Sequence, residues 1–144
     1  MTDIKNFNIR VYGLIINNKG EILISTEKYK NHTLRKFIGG GLEKGEGLKA
    51  GLKREFQEET GCDIKMGDLF YINDFFQSSL FVATDQIISI YYMVQPKVWD
   101  IFLKALSKPA NNQFFSWENI ADFDIESLSL PIDKVVLMRL KNNP

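Results

Sequence analysis

The stretch from Gly39 to Cys62 reads GGGLEKGEGLKAGLKREFQEETGC, and it decides the fold of this chain. Its opening glycines can adopt backbone conformations closed to other residues, so they predict a loop that approaches its neighbours closely. Apolar residues then recur at helical spacing from Leu48 to Thr60, and Gly61 is a residue type that commonly ends helices. The stretch therefore predicts a loop, a helix and a second loop.

Three carboxylates lie on one side of the predicted helix. At 100° per residue, Glu55, Glu58 and Glu59 fall within a stripe about 100° wide. The apolar face beside this stripe is formed by Leu48, Leu52 and Phe56. The carboxylates are therefore expected to border the packed face of the helix.

This arrangement of like charges is unfavourable unless the carboxylates have a partner. Glutamates three or four residues apart repel one another, and the helix dipole disfavours negative charge in the last turn, where Glu58 and Glu59 lie. A bound divalent cation would turn the carboxylates into ligands, because hard oxygen atoms suit Mg²⁺ and Mn²⁺. The alternative from the helical wheel alone is an exposed helix rich in glutamate.

The surrounding residues favour the metal site over the exposed helix. Glu46 and Arg54 can form an ion pair that fixes the loop to the helix. Read as one string, the segment resembles the Nudix box, G-x5-E-x7-R-E-U-x-E-E-x-G-U, in which U is a bulky apolar residue. The matching residues are Gly40, Glu46, Arg54, Glu55, Phe56, Glu58, Glu59, Gly61 and Cys62. On this motif, from Gly40 to Cys62, the chain is similar to the Nudix hydrolase family and its MutT-like members.

The resemblance implies a catalytic site and a cofactor. Nudix hydrolases use divalent metal to cleave a nucleoside diphosphate linked to another group, by displacement at phosphorus with a metal-activated water. The implied metal is Mg²⁺, with Mn²⁺ as a substitute. Carried over by position, the implied metal ligands are the Gly39 carbonyl, Glu55, Glu58 and Glu59, with Arg54 and Glu46 as orienting catalytic residues. The candidates for the general base stay open: Glu55 and Glu58 within the box, and Glu118, Asp100 and Asp85 outside it.

Five residues are candidates for substrate binding. Gly40 would let the backbone approach a phosphate. Arg35 and Lys36 precede the glycines and could meet substrate phosphates, with exposed strand cations as the alternative. Asp133 resembles the position at which nucleotide-cleaning relatives hold the base, and stabilisation of a helix N-terminus is its alternative. Phe76 could stack on a base, although strand aromatics are more often core or dimer contacts. The predicted substrate is a nucleoside triphosphate or a sugar nucleotide.

The rest of the chain predicts an α/β fold. Turn residues at 17–20 predict that the first two strands form a β-hairpin. Because the sequence contains no repeat or linker, residues 1–144 are expected to form one domain, a Nudix-type α/β/α sandwich around a mixed β-sheet. The predicted strands span residues 9–16, 21–25, 34–38, 64–76, 86–95 and 113–117, and two further predicted helices span 99–106 and 131–141.

Composition excludes several classes of function. The 144 residues carry 18 Lys and Arg against 18 Asp and Glu, and this zero net charge argues against non-specific nucleic-acid or membrane binding. One Cys and one His exclude an internal disulfide and an ordinary structural zinc site. With no signal-like or long apolar segment, a cytoplasmic location is expected. The implied partner is a small-molecule nucleotide, and the resemblance implies a homodimer.

Two other functions stay open at this point. A catalytically silent Nudix-fold sensor would bind a nucleotide without cleaving it, although the complete set of box residues favours turnover. A hydrolase that uses Cys62 and His32 would need its nucleophile at an apolar position just past a helix end.

Overall fold

The computed structural model describes residues 3–108 and 112–142 of the chain. In this part the chain forms seven β-strands, three α-helices and one short 3-10 helix at Ile125–Ser127. The strands are β1 (Asn6–Leu14), β2 (Glu21–Tyr29), β3 (His32–Lys36), β4 (Ile38–Gly41), β5 (Ile64–Ile72), β6 (Asp85–Pro96) and β7 (Gln113–Asn119). The helices are α1 (Leu48–Thr60), α2 (Trp99–Leu106) and α3 (Pro131–Asn142).

The strands form two sheets. The first is mixed and has the order β4-β1-β6-β5, with β1 parallel to β6 and the other pairs antiparallel. The second is antiparallel and has the order β3-β2-β7. The predicted mixed sheet in an α/β fold is thus confirmed, with the addition of a second sheet.

Side chains of β1 alternate between two hydrophobic cores. Tyr12 and Leu14 pack in a cluster with residues of α3, whereas Val11, and Ile15 just past the strand, pack in a cluster with residues of α1 and α2. Because successive side chains of a strand point to opposite faces, α3 lies on one face of the mixed sheet and α1 and α2 lie on the other. This arrangement gives the α/β/α layering expected from the sequence.

The predicted β-hairpin of the first two strands is wrong beyond its turn. The turn itself forms, since Gly20 N–H donates to the Asn17 carbonyl and Ile16 pairs with Ile22 in an isolated bridge. The strands then diverge, and each becomes the inner strand of a separate sheet. Each contains a short, largely apolar buried run, at 11–14 and 22–24, so periodicity alone does not identify which partners cover the strand edges.

The predicted strand at 34–38 is two strands. It divides at Phe37, which is fully buried, so that β3 belongs to the antiparallel sheet and β4 to the mixed sheet. The glycines expected to follow the strand instead form β4, where Gly39 pairs with Tyr12 and Gly40 with Val11. This crossing from one sheet to the other carries the glycines under α1.

Helix α1 has the predicted bounds because its ends are locally encoded. Gly61 adopts a left-handed conformation with φ of 69°, and its N–H donates to the Gln57 carbonyl. Leu52 and Phe56 are fully buried against the mixed sheet, which fixes the rotation of the helix about its axis. On the adjacent stripe, Glu55 and Glu59 therefore face β4. Across the described ranges, none of the helices combines the length and apolar character that crossing a bilayer requires.

Candidate active site

Two carboxylates of α1 lie against the backbone of β4. Gly39 N–H donates to Glu59 Oε2 over 3.2 Å. A Cβ atom at Gly40 would collide with the Glu55 carboxylate, 2.7 Å from its Cδ and 2.8 Å from its Oε2. Only glycine at position 40 leaves room for the observed position of Glu55.

The preceding glycine is required for a different reason. Gly39 has φ of 154°, which L side chains rarely adopt, and a Cβ there would lie 2.7 Å from the Cα of Tyr12. The paired glycines therefore let β4 pass between β1 on one side and the α1 carboxylates on the other. This is the physical basis of the glycine run that begins the motif.

Arg54 joins the loop, the helix and β4. Its Nε and one terminal nitrogen donate to the two oxygens of Glu46 over 3.0 and 2.7 Å, which confirms the predicted ion pair. It also donates to the Gly41 carbonyl over 3.0 Å and to Glu58 over 3.1 Å. Hydrogen bonds from Arg54 lower the pKa of Glu46 to about 2. The bidentate pair gives the loop a fixed position relative to the carboxylates.

Burial governs the electrostatics of Glu55 and Glu59. It raises the pKa of Glu55, and Glu58 raises it further, while Arg54 and Lys36 oppose the rise. Burial likewise raises the pKa of Glu59, against the effects of Lys36 and a hydrogen bond from Gln113. Positive charge nearby therefore favours the ionised form of both carboxylates against the effect of burial.

The donor set fits a hard divalent cation. Within residues 3–108 and 112–142, no N–H or O–H donates a hydrogen bond to Glu55, whose side chain is only 13% exposed. Its oxygens and those of Glu59 face the same glycine strand, as oxygen ligands for Mg²⁺ or Mn²⁺ would. No group of three or more His, Cys, Asp or Glu side chains in the described residues forms a ready-made metal site. One reason is that Glu58 points outward to Arg54, with 56% of its side chain exposed.

A cavity of about 230 Å³ lies on the α3 face of the mixed sheet, and one of its lining residues, Lys36, is 3.9 Å from Glu59. Its floor is built from neighbouring pairs of β1 and β6: Asn8 with Ile87, Arg10 with Ser89, and Tyr12 with Tyr91. Residues of the β5–β6 connection and the start of α3 complete its walls, and Lys36 also lines it. The cavity is largely apolar and includes a few polar side chains, as small-molecule sites commonly do.

Asp133 lies fully buried in the first turn of α3, next to the cavity-lining residue Ile132. It accepts hydrogen bonds from the Tyr91 hydroxyl and, over 3.4 Å, from Phe37 N–H. Burial raises its pKa to about 6, although the Tyr91 hydrogen bond opposes the shift. Asp133 is not itself a lining residue, so it holds Tyr91 in place while Tyr91 faces the cavity.

Other residues proposed from the sequence lie elsewhere. Arg35 is 3.7 Å from Glu118 and stacks over Phe123, in a separate pocket on the antiparallel sheet. Phe76 is exposed in the β5–β6 connection and does not line the cavity.

Asp100 is exposed in the first turn of α2, and Asp85 starts β6, opposite Asn6. Cys62 is buried beside Thr60, whereas His32 is exposed at the start of β3 in the other sheet.

Sequence reasoning missed two residues at the site. Arg10 lines the cavity, donates from Nε to the Tyr12 hydroxyl over 2.6 Å and interacts electrostatically with Glu55. The alternation of Asn8, Arg10 and Tyr12 on one face of β1 was the signal that could have found it. Gln113 donates to Glu59 over 2.9 Å from a strand 54 residues away, and no local pattern marks it.

A sequence profile described as NUDIX domain matches residues 6–139, which is nearly the whole chain. The chain belongs to the Nudix family. It is a Nudix pyrophosphohydrolase, and hydrolysis of nucleoside-diphosphate-linked compounds with divalent metal is the general activity of the family. No curated protein sequence matches the chain.

Solved structures of MutT and related proteins share the fold. A MutT protein from Methanosarcina mazei Go1 is 25% identical with a TM-score of 0.69, and the match covers 97% of this chain and 98% of that one. The E. coli ORF135 protein is 20% identical, with a TM-score of 0.71 and coverage of 96% and 94%. A structure from work on the MutT of Aliivibrio salmonicida and Vibrio cholerae is 21% identical, with a TM-score of 0.66 and coverage of 96% and 99%. Their high coverage supports one Nudix fold along the chain.

Proposed function

We propose that this Nudix enzyme hydrolyses a phosphoanhydride bond of a nucleoside triphosphate or a sugar nucleotide with Mg²⁺, for which Mn²⁺ can substitute. One observation carries the proposal: the same two cationic side chains line the largely apolar cavity and interact with the paired carboxylates. Lys36 lines the cavity and lies 3.9 Å from Glu59. Arg10 lines it as well and interacts electrostatically with Glu55. A ligand with an apolar ring and a phosphate chain fits this division.

The cavity supplies the binding of the nucleoside. Tyr12 and Tyr91 stack with ring centroids 5.1 Å apart on its floor, and the Tyr91 hydroxyl is held by its hydrogen bond to Asp133. The Arg10 Nε donates to the Tyr12 hydroxyl. No group in the described residues accepts a hydrogen bond from the terminal nitrogens of Arg10, which leaves them for the ligand. A guanidinium binds phosphate oxygens well, so Arg10 is assigned to the phosphate nearest the nucleoside.

The α1 carboxylates supply the chemistry at phosphorus. Glu55, Glu59 and the Gly39 carbonyl would hold the metal, with Glu58 completing the site once it releases Arg54. When bound, a divalent cation neutralises charge on the diphosphate and lowers the pKa of water. Arg54 and Glu46 keep the loop in register with α1, and a box carboxylate, Glu55 or Glu58, accepts the proton of the attacking water. The other candidates for this role have different surroundings: Glu118 pairs with Arg35, Asp100 lies in the first turn of α2, and Asp85 lies opposite Asn6.

The test replaces one carboxylate without changing the fold. Glu59→Gln keeps an acceptor for Gly39 N–H and removes a charged ligand, so metal-dependent hydrolysis is expected to fall below detection. Its thermal midpoint should stay within a few degrees of wild type, because the site carries little of the core. Glu126→Gln, on an exposed side chain, is the matched control and should retain full turnover. Wild-type rates in Glu59→Gln would reject the assignment.

A substrate panel identifies the reaction. Purified enzyme is incubated with nucleoside triphosphates, sugar nucleotides, ADP-ribose and dinucleoside polyphosphates under Mg²⁺ and Mn²⁺, and the products identify the bond that breaks. We expect turnover of the first or second group. No turnover of any compound under either metal would instead favour a silent nucleotide sensor.

The proposal also includes a cytoplasmic location and a homodimer. The edge strand β5 supports the dimer, since Leu69 and Ile72 are 52% and 43% exposed there. Exposed apolar side chains on a sheet edge are typical of a contact surface. Light scattering on the purified protein measures the assembly directly.

A further inference from the structure

Lys36 places a buried ammonium among oxygen atoms of the candidate site. The residue is only 6% exposed at the end of β3. Its Nζ donates to the carbonyls of Phe37 and Gly39 over 3.1 and 3.2 Å, and it lies 3.9 Å from Glu59 Oε1. The face of the Tyr12 ring is 5.8 Å from the same nitrogen. The surroundings of this ammonium are thus oxygens and a ring face, both favourable to a cation.

Two of these oxygens belong to the proposed metal ligands. The Gly39 carbonyl and the Glu59 carboxylate are the atoms through which β4 and the end of α1 would hold a divalent cation. A carbonyl oxygen that accepts a hydrogen bond from an ammonium group is a weaker ligand for a metal ion, because the ammonium charge offsets the negative potential at the oxygen. A metal bound beside Nζ would also be repelled by its positive charge, and in a partly buried site this repulsion is weakly screened.

Lys36 is also the cation nearest to Glu59 in this pair of carboxylates. Glu55 and Glu59 are four residues apart on α1, a spacing at which like charges repel. The Lys36 Nζ is 3.9 Å from Glu59 Oε1, whereas Glu55 has Arg54 at 3.6 Å. Lys36 therefore supplies the positive charge on the Glu59 side of the pair.

We propose that Lys36 is an internal counter-cation that occupies the Gly39 carbonyl and Glu59 in the metal-free enzyme and competes with the divalent metal for them. Metal binding moves the ammonium away from these oxygens toward the cavity that it already lines, where a substrate phosphate can receive it. Lys36 therefore weakens metal binding in the absence of substrate. The inference rests on the proposed function, because it concerns the metal of that same site.

The test measures metal affinity without substrate. Lys36→Met keeps the length and apolar stem of the side chain but removes its charge, and Lys36→Arg retains the charge. Binding of Mn²⁺ is followed by electron paramagnetic resonance of the free ion, and thermal unfolding is recorded with and without metal. Lys49→Met removes a charge from an exposed position on the same helix that carries the carboxylates and is the matched control.

We expect Lys36→Met to bind Mn²⁺ about tenfold more tightly than wild type, which corresponds to about 1.4 kcal/mol. Lys36→Arg and Lys49→Met should stay within about threefold of wild type. Without metal, Lys36→Met should unfold at a lower temperature, and Mn²⁺ should restore its midpoint more than it raises that of wild type. If Lys36→Met does not fold even with Mn²⁺, the uncharged polar variant Lys36→Gln takes its place in the same measurement.

Unchanged or weaker Mn²⁺ binding by a folded Lys36→Met protein overturns the proposal, as does absence of Mn²⁺ binding by both wild type and variant. These outcomes are distinct from failure of the proposed function. An enzyme that binds Mn²⁺ with the expected difference between variants but cleaves no nucleotide would retain this inference and reject the hydrolase assignment.

Discussion

Substitution of Gly40 by alanine tests whether close approach of α1 to β4 sets the position of Glu55. The new Cβ would lie 2.7 Å from the Glu55 Cδ, whereas an ordinary contact is 3.4 Å or more. Glu55 Oε1 would lie closer still, so the carboxyl group must retreat by about 1 Å or turn to another rotamer. Glu55 borders solvent and contacts Arg54 only at 3.6 Å, so the side chain moves more easily than the backbone of β4.

The expected effects on activity and on stability differ in size. A displacement approaching 1 Å at a catalytic group can lower turnover by about 100-fold, and we expect a loss of that order in kcat. The free energy of unfolding should fall by only about 1 kcal/mol, the typical strain of one off-rotamer side chain. Mn²⁺ affinity should fall as well, because Glu55 is a proposed ligand.

The assay compares Gly40→Ala with Gly47→Ala. A Cβ at Gly47 would meet no atom within 4 Å, and the φ of that residue is −77°, which alanine adopts readily. Urea unfolding, Mn²⁺ binding and steady-state hydrolysis are measured for both variants and wild type. Gly47→Ala should differ by a few tenths of a kcal/mol and keep its kcat. Wild-type turnover and Mn²⁺ affinity in Gly40→Ala would refute the argument that this glycine sets the position of Glu55.

Two further predictions concern pH. Because Arg54 holds the pKa of Glu46 at about 2, below its ordinary 4.5, the stability that this pair contributes is complete above pH 4.5 and is lost as pH falls toward 2. Urea unfolding should therefore show wild type and Glu46→Gln converging over that range, and a constant difference would contradict it. Asp133 has the opposite sign: its pKa of about 6 against an ordinary 3.8 means that ionisation costs stability as pH rises from 3.8 to 6, by about 3 kcal/mol at most. Asp133→Asn should lack this decline in a pH series of unfolding midpoints, and an unchanged slope would assign the decline to another group.

The sequence could predict the parts of the fold that are locally encoded. Helix α1 has the predicted bounds, because Gly61 ends it through its own left-handed backbone and the apolar stripe is continuous from Leu48 to Phe56. The ion pair of Glu46 with Arg54 was also predictable, since both residues lie within one short motif. The roles of Glu55, Glu58 and Glu59 as metal ligands remain predictions.

Other features depend on which distant segments pack together, and local patterns do not encode this. The first two strands are both buried, so a hairpin and a split between two sheets look alike in their periodicity. Arg35 and Lys36 are adjacent, yet one pairs with Glu118 in the antiparallel sheet while the other points to Gly39 and Glu59. The difference arises because successive side chains of a strand alternate faces and the crossing at Phe37 changes sheets.

The division of the site into two parts follows from this packing. The carboxylates and the glycines that receive them come from one continuous segment, so their relative positions depend on a single loop held by Arg54. The cavity instead draws its floor from β1 and β6 and its walls from the β5–β6 connection and α3. Substitutions such as those at Arg10 or Tyr91 can therefore change which ligand fits while leaving the carboxylates in place. Lys36 is the exception, because it lines the cavity and also lies 3.9 Å from the Glu59 carboxylate. A change there is expected to alter metal affinity and ligand binding together, which is why metal binding is measured without substrate.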